Sequence, residues 1–253
     1  MQQIVYNILM NGNLPDDELD VVLRLPFLEV QGADAARYGP KPGAYKTHLP
    51  FDKHPYSPEA KYIYVARNPY DCCVSFFYHT KNFPAYRYED GTFDDFFDKF
   101  IAGKVDFGDY LDHLLSWYAH RNDANVLFVT FEDMKRDPGA WVLRVAEFMG
   151  EDYVSRLRED KGLLEKIVSA VSFTRMKGSL NAKFRKDDRE GKDEAVVSPM
   201  TNSQYTIEAL HPAGEVGDWK RHFDEKHVEK MKQYIASRMA GPIITSLWSE
   251  IPV

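Results

Sequence analysis

Cysteine is all but missing from this chain. Of 253 residues only Cys72 and Cys73 carry a thiol, and they are adjacent. Neighbours in sequence cannot staple distant parts of a fold, so a disulfide framework is excluded and a reducing compartment, the cytoplasm, is expected. Long apolar runs are missing too, and no stretch approaches the roughly 18 residues a membrane span needs. The opening MQQIVYNILMNGN has no Lys or Arg ahead of its short apolar stretch, so it does not read as a secretory leader. An excess of positive charge is also lacking. Lys plus Arg number 32 against 39 Asp plus Glu, a formal net charge of -7. That balance speaks against general nucleic-acid binding and leaves room only for a local basic pocket for a small anion. The eight histidines show no metal-ligand spacing, and no metal is expected. What the chain does have is 44% hydrophobic and 28% charged residues without an internal repeat, the balance of an ordinary globular protein. This length allows a real buried core, in one sizeable α/β domain or two small ones.

Hydrophobic periodicity supplies the elements. Ile4, Val5, Ile8 and Leu9 predict one face of a helix that stops at Asn11-Gly12-Asn13. Lys61 to Ala66 (KYIYVA) and Asn125 to Phe131 (NVLFVTF) read as strands, the second nearly continuous in apolar residues, as in a strand covered on both faces. Ala44 to Thr47 is a weaker strand candidate, stopped by His48-Leu49-Pro50. Helical stripes follow at Phe107, Tyr110, Leu111, Leu114, Leu115 and Tyr118, at Trp141, Val142, Val145, Ala146 and Phe148 before a capping Gly150, and at Val228, Met231, Tyr234 and Ile235. Strand, helix, strand in that rhythm predicts an α/β fold with a parallel sheet flanked by helices. The charge-dense Phe184 to Glu194 reads as a surface loop, and Asp94, Asp95 and Asp98 as one solvated helix face.

Ligands of parallel sheets bind beyond the strand ends, so the residues there come first. Lys46 and His48 lie two apart on an extended segment and point to the same side. An ammonium and an imidazole are thereby aimed at one reacting centre. The plain alternative is a strand-end histidine satisfied by backbone. After the next strand come Arg67-Asn68-Pro69-Tyr70-Asp71 and a helix carrying Ser75. There Arg67 is either an anion ligand or an ordinary salt-bridge partner.

Together the motifs say more than any one alone. KTHLP (Lys46 to Pro50), YVARNPYDCCVSFFYH (Tyr64 to His79), TFEDMKRDP (Thr130 to Pro138), VSFTRMK (Val171 to Lys177) and GEVGDWKRHF (Gly214 to Phe223), in that order, resemble the cytosolic sulfotransferase family. LRLPFLEV (Leu23 to Val30) is similar to that family's RxPFLE segment, and the similarity runs from Met1 to at least Phe223. The resemblance implies a single domain over 1–253, a parallel five-stranded sheet flanked by helices, related to P-loop kinases. It implies transfer of a sulfuryl group from 3′-phosphoadenylyl sulfate (PAPS) to a hydroxyl or amine, leaving PAP. His48 then matches the catalytic base, and Lys46 a lysine that stabilises charge on the leaving phosphate oxygen. Arg67 and Ser75 match the pair that grips the 3′-phosphate. Ser172, Phe173 and Met176 correspond to the adenine pocket, with plain helix core as the alternative for Met176, and Gly214 to the glycine of the 3′-phosphate clamp. Phe27, His79 and His113 fall where the family contacts its acceptor, a small phenol or monoamine, although a structural role on an apolar helix face suits His113 equally.

Departures from the family pattern shape further expectations. Phe131 stands where the family has Tyr, and Pro212-Ala213-Gly214 where it has Arg-Lys-Gly. Each lost charge-assisted phosphate contact is worth roughly 1.5–3 kcal/mol. Lys183, Arg185 and Lys186 are candidate substitutes. The family's first strand and phosphosulfate loop, PKxGTTW, should immediately precede Met1, so the chain as written is expected to be incomplete and inactive. The family's dimer motif aligns with Lys220, Asp224-Glu225 and Glu229, two carboxylates replacing its apolar centre, so a monomer or weak homodimer is expected. Two other readings compete: an inactive relative that binds small molecules or proteins, and a nucleotide kinase, which KTHLP and the absent P-loop oppose.

Overall fold

The computed structural model describes residues 1–13, 21, 23–172 and 215–253. Phe173, Met176 and Gly214, the Phe184 to Glu194 stretch, Pro212-Ala213 and the candidate substitutes Lys183, Arg185 and Lys186 lie outside them. The chain divides into two compact units, Met1–Ala66 with Asp112–Ser172, and Arg67–Leu111 with Phe173–Val253. Among the described residues no helix is long and apolar enough to cross a membrane.

The first unit contains helix α1 (Gln2–Leu9), helix α2 (Leu28–Tyr38) and strand β1 (Tyr62–Ala66). Helix α1 buries Ile4, Val5 and Ile8, as its periodicity predicts, and the chain leaves it through Asn11 and Gly12, both at positive φ. A Cβ at Gly12 would stand 3.0 Å from the Leu163 side chain, so glycine fits there on both grounds. Strand β2 (Val126–Thr130) runs parallel to β1, with Tyr62 opposite Val126 and Ala66 opposite Thr130. Alternation along the strands explains their double covering. Leu127 and Val129 enter a core with Ile4, Tyr6, Val142, Val145 and Ile167, while Tyr62 and Val126 pack with Trp117 on the opposite side.

Four helices follow β2: Phe131–Arg136, Pro138–Met149, Glu151–Glu159 and Lys161–Ala170. Their starts are written in the sequence. Thr130, Asp137 and Asp160 each accept a hydrogen bond from a backbone N–H in the first turn, and Pro138 supplies the preset φ of a first helical residue.

Two local expectations need correcting. Ala44 to Thr47 makes no strand; it forms one isolated parallel bridge, between Lys46 and Phe27, and one further hydrogen bond from the Ala44 N–H to the Arg24 carbonyl at 3.3 Å. Pro26 lies between these two contacts on the partner segment and has no N–H to donate, which interrupts the ladder there. Phe107 does not join the stripe of the helix Tyr110–Tyr118. It sits at φ 68° and is exposed, because Gly108 and Asp109 intervene before the helix begins. The sheet of the described residues has two strands where five were implied.

The second unit contains helix α3 (Pro69–Asn82), helix α4 (Phe93–Ile101) and a C-terminal helix Glu225–Ser237. Phe96, Phe97 and Phe100 on α4 are fully buried, and Met231, Tyr234 and Ile235 line the inner face of the C-terminal helix, as predicted. Asp224, within the aligned dimer motif, is that helix's N-cap and forms a reciprocal pair with His227.

Candidate active site

In the first unit the site is framed by the segment before α2. The Lys46 N–H donates to the Pro26 carbonyl, and the Leu28 N–H to the Lys46 carbonyl, each at 2.8 Å. This pairing holds Phe27 beside Lys46. The Lys46 ammonium stands 4.0 Å from the centroid of the Phe27 ring, and the His48 imidazole meets that ring edge-on at 5.0 Å. Lys46 and His48 therefore gather on one aromatic side chain, as residues two apart on an extended segment should. Burial pulls the Lys46 ammonium below its ordinary pKa range, opposed by the negative charge of Glu29.

Glu29, in the first turn of α2, organises this corner. Its Oε1 accepts from the Thr47 hydroxyl at 3.0 Å and from the His48 backbone N–H, and lies 4.0 Å from His48 Nδ1. The His48 carbonyl is engaged as well, by His113 Nε2 at 2.9 Å. His113 also receives the Tyr64 hydroxyl on Nδ1 at 3.0 Å. Burial drives its pKa below the ordinary histidine value, so the ring is held neutral. Ser172, exposed beyond the end of the helix Lys161–Ala170, donates its N–H to the Ser169 carbonyl.

In the second unit the start of α3 is built on Asn68 and Asp71. Asn68 caps the helix, its side chain accepting from the Asp71 N–H and donating to Asp71 Oδ2, each at 2.8 Å. Buried Asp71 also accepts from the N–H of Gly217 at 2.7 Å and of Trp219 at 2.9 Å. The GDW segment is thus tied to the helix start by one carboxylate. Arg67 Nη2 donates to the Glu215 carbonyl at 3.1 Å, and the Tyr110 hydroxyl donates to the Arg67 carbonyl. Ser75 lies one turn beyond Asp71 on the same face of α3. His79, in the last turn, packs its ring 5.4 Å from Phe83 and 5.8 Å from Tyr86.

Reading the sequence alone missed Glu29, Tyr64, Asp71 and Tyr110. Glu29 had a signal, its place in the PFLE segment. The other three act through hydrogen bonds to residues far along the chain, which leave no local pattern.

The profile of the sulfotransferase domain family matches residues 1–242. The rat protein named sulfotransferase 1C2 is 32% identical over 95% of this chain and 79% of its own length. A rabbit protein named amine sulfotransferase is 31% identical over 98% of this chain and 78% of its own length. Among solved structures, a mouse sulfotransferase complexed with PAP superposes with a TM-score of 0.71 at 24% identity, covering 99% of this chain and 84% of that one. Retinol dehydratase in complex with androsterone and PAP also gives a TM-score of 0.71, at 20% identity, over 94% of this chain and 76% of that one. Fold, motif order and a match over nearly the whole length agree, and the chain belongs to the cytosolic sulfotransferase family.

Proposed function

We propose that this chain transfers a sulfuryl group from PAPS to the hydroxyl or amine of a small phenolic or amine acceptor, with His48 as general base. The observation that carries this reading is the gathering of Lys46 and His48 around the Phe27 ring, a base and a cation beside an aromatic wall suited to a planar acceptor. The similarity to a rabbit amine sulfotransferase supports the acceptor class. When bound, PAPS supplies an activated sulfuryl group and PAP as the leaving group. His48 accepts the acceptor's proton as the acceptor oxygen or nitrogen forms its bond to sulfur and the bond from sulfur to the phosphate oxygen breaks. Lys46 offsets the charge arriving on that oxygen, and its partial burial strengthens the interaction.

The residues present suit a 3′-phosphate. Arg67 offers a guanidinium fixed at its backbone by Tyr110, and Ser75 a hydroxyl on the Asp71 face of α3. Phe27 and His79 are assigned to the acceptor, and Ser172, Phe173, Met176 and Gly214 to the nucleotide. No metal is assigned a role. The only two cysteines, Cys72 and Cys73, are adjacent in sequence and provide no disulfide framework, which supports a cytoplasmic location.

In a catalytically active form of the protein, His48→Ala should abolish nearly all turnover while leaving PAP affinity within a few-fold, because a base acts on the acceptor proton and not on the nucleotide. Turnover close to wild type would sink the assignment. One observation favours a second reading, an inactive relative retained for binding: Pro212-Ala213 stands where the family carries two cations. Calorimetry with PAP separates the two, since heat of binding supports the transferase and its absence the inactive relative.

A further inference from the structure

We propose that His113 is a positioning residue that clamps the backbone of His48, with Tyr64 donating to its other ring nitrogen. The role attributed to His48 rests on the function proposed above; the clamp itself rests on geometry. A carbonyl oxygen can only accept, so the 2.9 Å contact with the His48 carbonyl places the His113 proton on Nε2. A neutral imidazole then has an acceptor at Nδ1, and the Tyr64 hydroxyl, 3.0 Å away, is the donor that fills it. The two rings stack at 5.6 Å with 25° between their planes, so both position and tilt of the imidazole are fixed.

The surroundings explain why a clamp is needed. Residues 48–50 lie outside any helix or strand, and their backbone groups must find partners elsewhere. One helix face supplies them. His113, Ser116 and Trp117, spaced i, i+3 and i+4, take the His48 carbonyl, the Phe51 N–H at 3.1 Å and the Leu49 carbonyl at 3.1 Å. On the other side Glu29 accepts the His48 N–H. The peptide groups flanking His48 are therefore gripped at both ends. The charged groups around this corner are Glu29 and Lys46 at His48 and Asp52 toward His113. His113 is engaged by the protein through both nitrogens, so it positions the base and does not grip the acceptor.

The test is nitrogen-15 NMR of the histidine rings in the full chain, combined with His113→Phe, His113→Gln and Tyr64→Phe. In the wild type His113 should appear as the neutral Nε2–H tautomer with a slowly exchanging proton. His113→Phe keeps the ring volume and removes the clamp, so the His48 ring signals should shift and its titration midpoint should move. The amide of His113→Gln can still donate to the carbonyl and should restore the wild-type His48 signals. In turnover of a catalytically active form of the protein, His113→Phe should lower kcat at least about tenfold with little change in the acceptor KM, and His113→Gln should recover most of it, because misplacing a base costs rate more than binding. A folded His113→Phe protein whose His48 signals and midpoint match the wild type overturns the proposal. So does an Nδ1–H or protonated His113 at pH 7 in the wild-type chain, a measurement that stands even if no variant folds. If instead His48→Ala retains turnover, the base assignment falls while the clamp, read by NMR, stands.

Discussion

The carboxylate of Asp71 joins the start of α3 to the GDW segment, and Asp71→Asn tests that joint with one atom changed. Asp71 is 1% exposed. Its Oδ2 serves Asn68 Nδ2 at 2.8 Å and the Gly217 N–H at 2.7 Å, and its Oδ1 serves the Trp219 N–H at 2.9 Å. An amide has only one oxygen to offer. Placed at the Oδ2 position, that oxygen keeps two partners but turns its NH2 toward the Trp219 N–H, donor against donor; the opposite flip opposes two donors. The smaller loss is one charge-assisted bond with a buried donor left unmatched, roughly 2–4 kcal/mol, while the surviving bonds lose their charge assistance. Asp71→Ala should cost more. Urea unfolding followed by near-ultraviolet circular dichroism, where buried Trp219 contributes, reads the loss directly. A second readout concerns function. The Glu215 carbonyl that receives Arg67 precedes the tied residues, so a loosened GDW segment should weaken PAP binding in calorimetry. An Asp71→Asn protein within about 0.5 kcal/mol of wild type, the level of an ordinary surface substitution, would refute the energetic reasoning. Full stability loss with unchanged PAP affinity would refute the link from the joint to the nucleotide.

Gly32 interrupts α2 at φ 76° and ψ 173° with nothing near where a Cβ would sit, so the strain of Gly32→Ala is backbone strain alone. It should cost about 1–3 kcal/mol in urea unfolding, and no loss would mean that the break in α2 is not needed. His113 and His54 are both held below their ordinary pKa by burial, so between their folded values and about 6.5 the unfolded chain binds more protons. Stability is therefore full above about pH 6.5 and declines as the pH falls below it; His113→Gln should flatten that decline in urea midpoints compared at pH 5.5 and 7.5, and an unchanged slope would exclude His113 as a contributor. The chain should run as a monomer in light scattering, because the aligned dimer motif carries Asp224 and Glu225, like charges that a two-fold axis would bring face to face. Glu225→Val should then promote association; a wild-type dimer of unchanged affinity in Glu225→Val would place the interface elsewhere.

Local physics made much of the fold legible from sequence. Helix α1 and the three stripes were visible because burial on one face repeats every 3.6 residues, and β1 and β2 because each is short, β-branched or aromatic, and bounded by breakers. Where the reading failed, the cause was non-local. Ala44 to Thr47 has the composition of a strand, yet whether it pairs depends on Phe27, about twenty residues earlier, and only one bridge forms. Phe107 satisfies the helical period on paper, but the positive φ at Phe107 and Gly108 shows the chain still turning there.

The candidate site divides along the same line. Lys46 and His48 were legible because their relation is local: two residues apart on extended chain, they share a side whatever the rest of the molecule does. Asp71 was not legible, since its partners Gly217 and Trp219 lie 146 and 148 residues away. His113 is the instructive middle case. The sequence showed a histidine on an apolar helix face and left a contact with acceptor or a structural role equally open. The clamp proposed above rests on a count of hydrogen-bonding capacity: a neutral imidazole has one donor and one acceptor, and here the His48 carbonyl takes the first and the Tyr64 hydroxyl fills the second. A ring so committed can offer an acceptor molecule only its edge, yet it governs where the neighbouring histidine stands. Resemblance to a family therefore carries over residues better than it carries over roles, because a role depends on which partners have already claimed each polar atom.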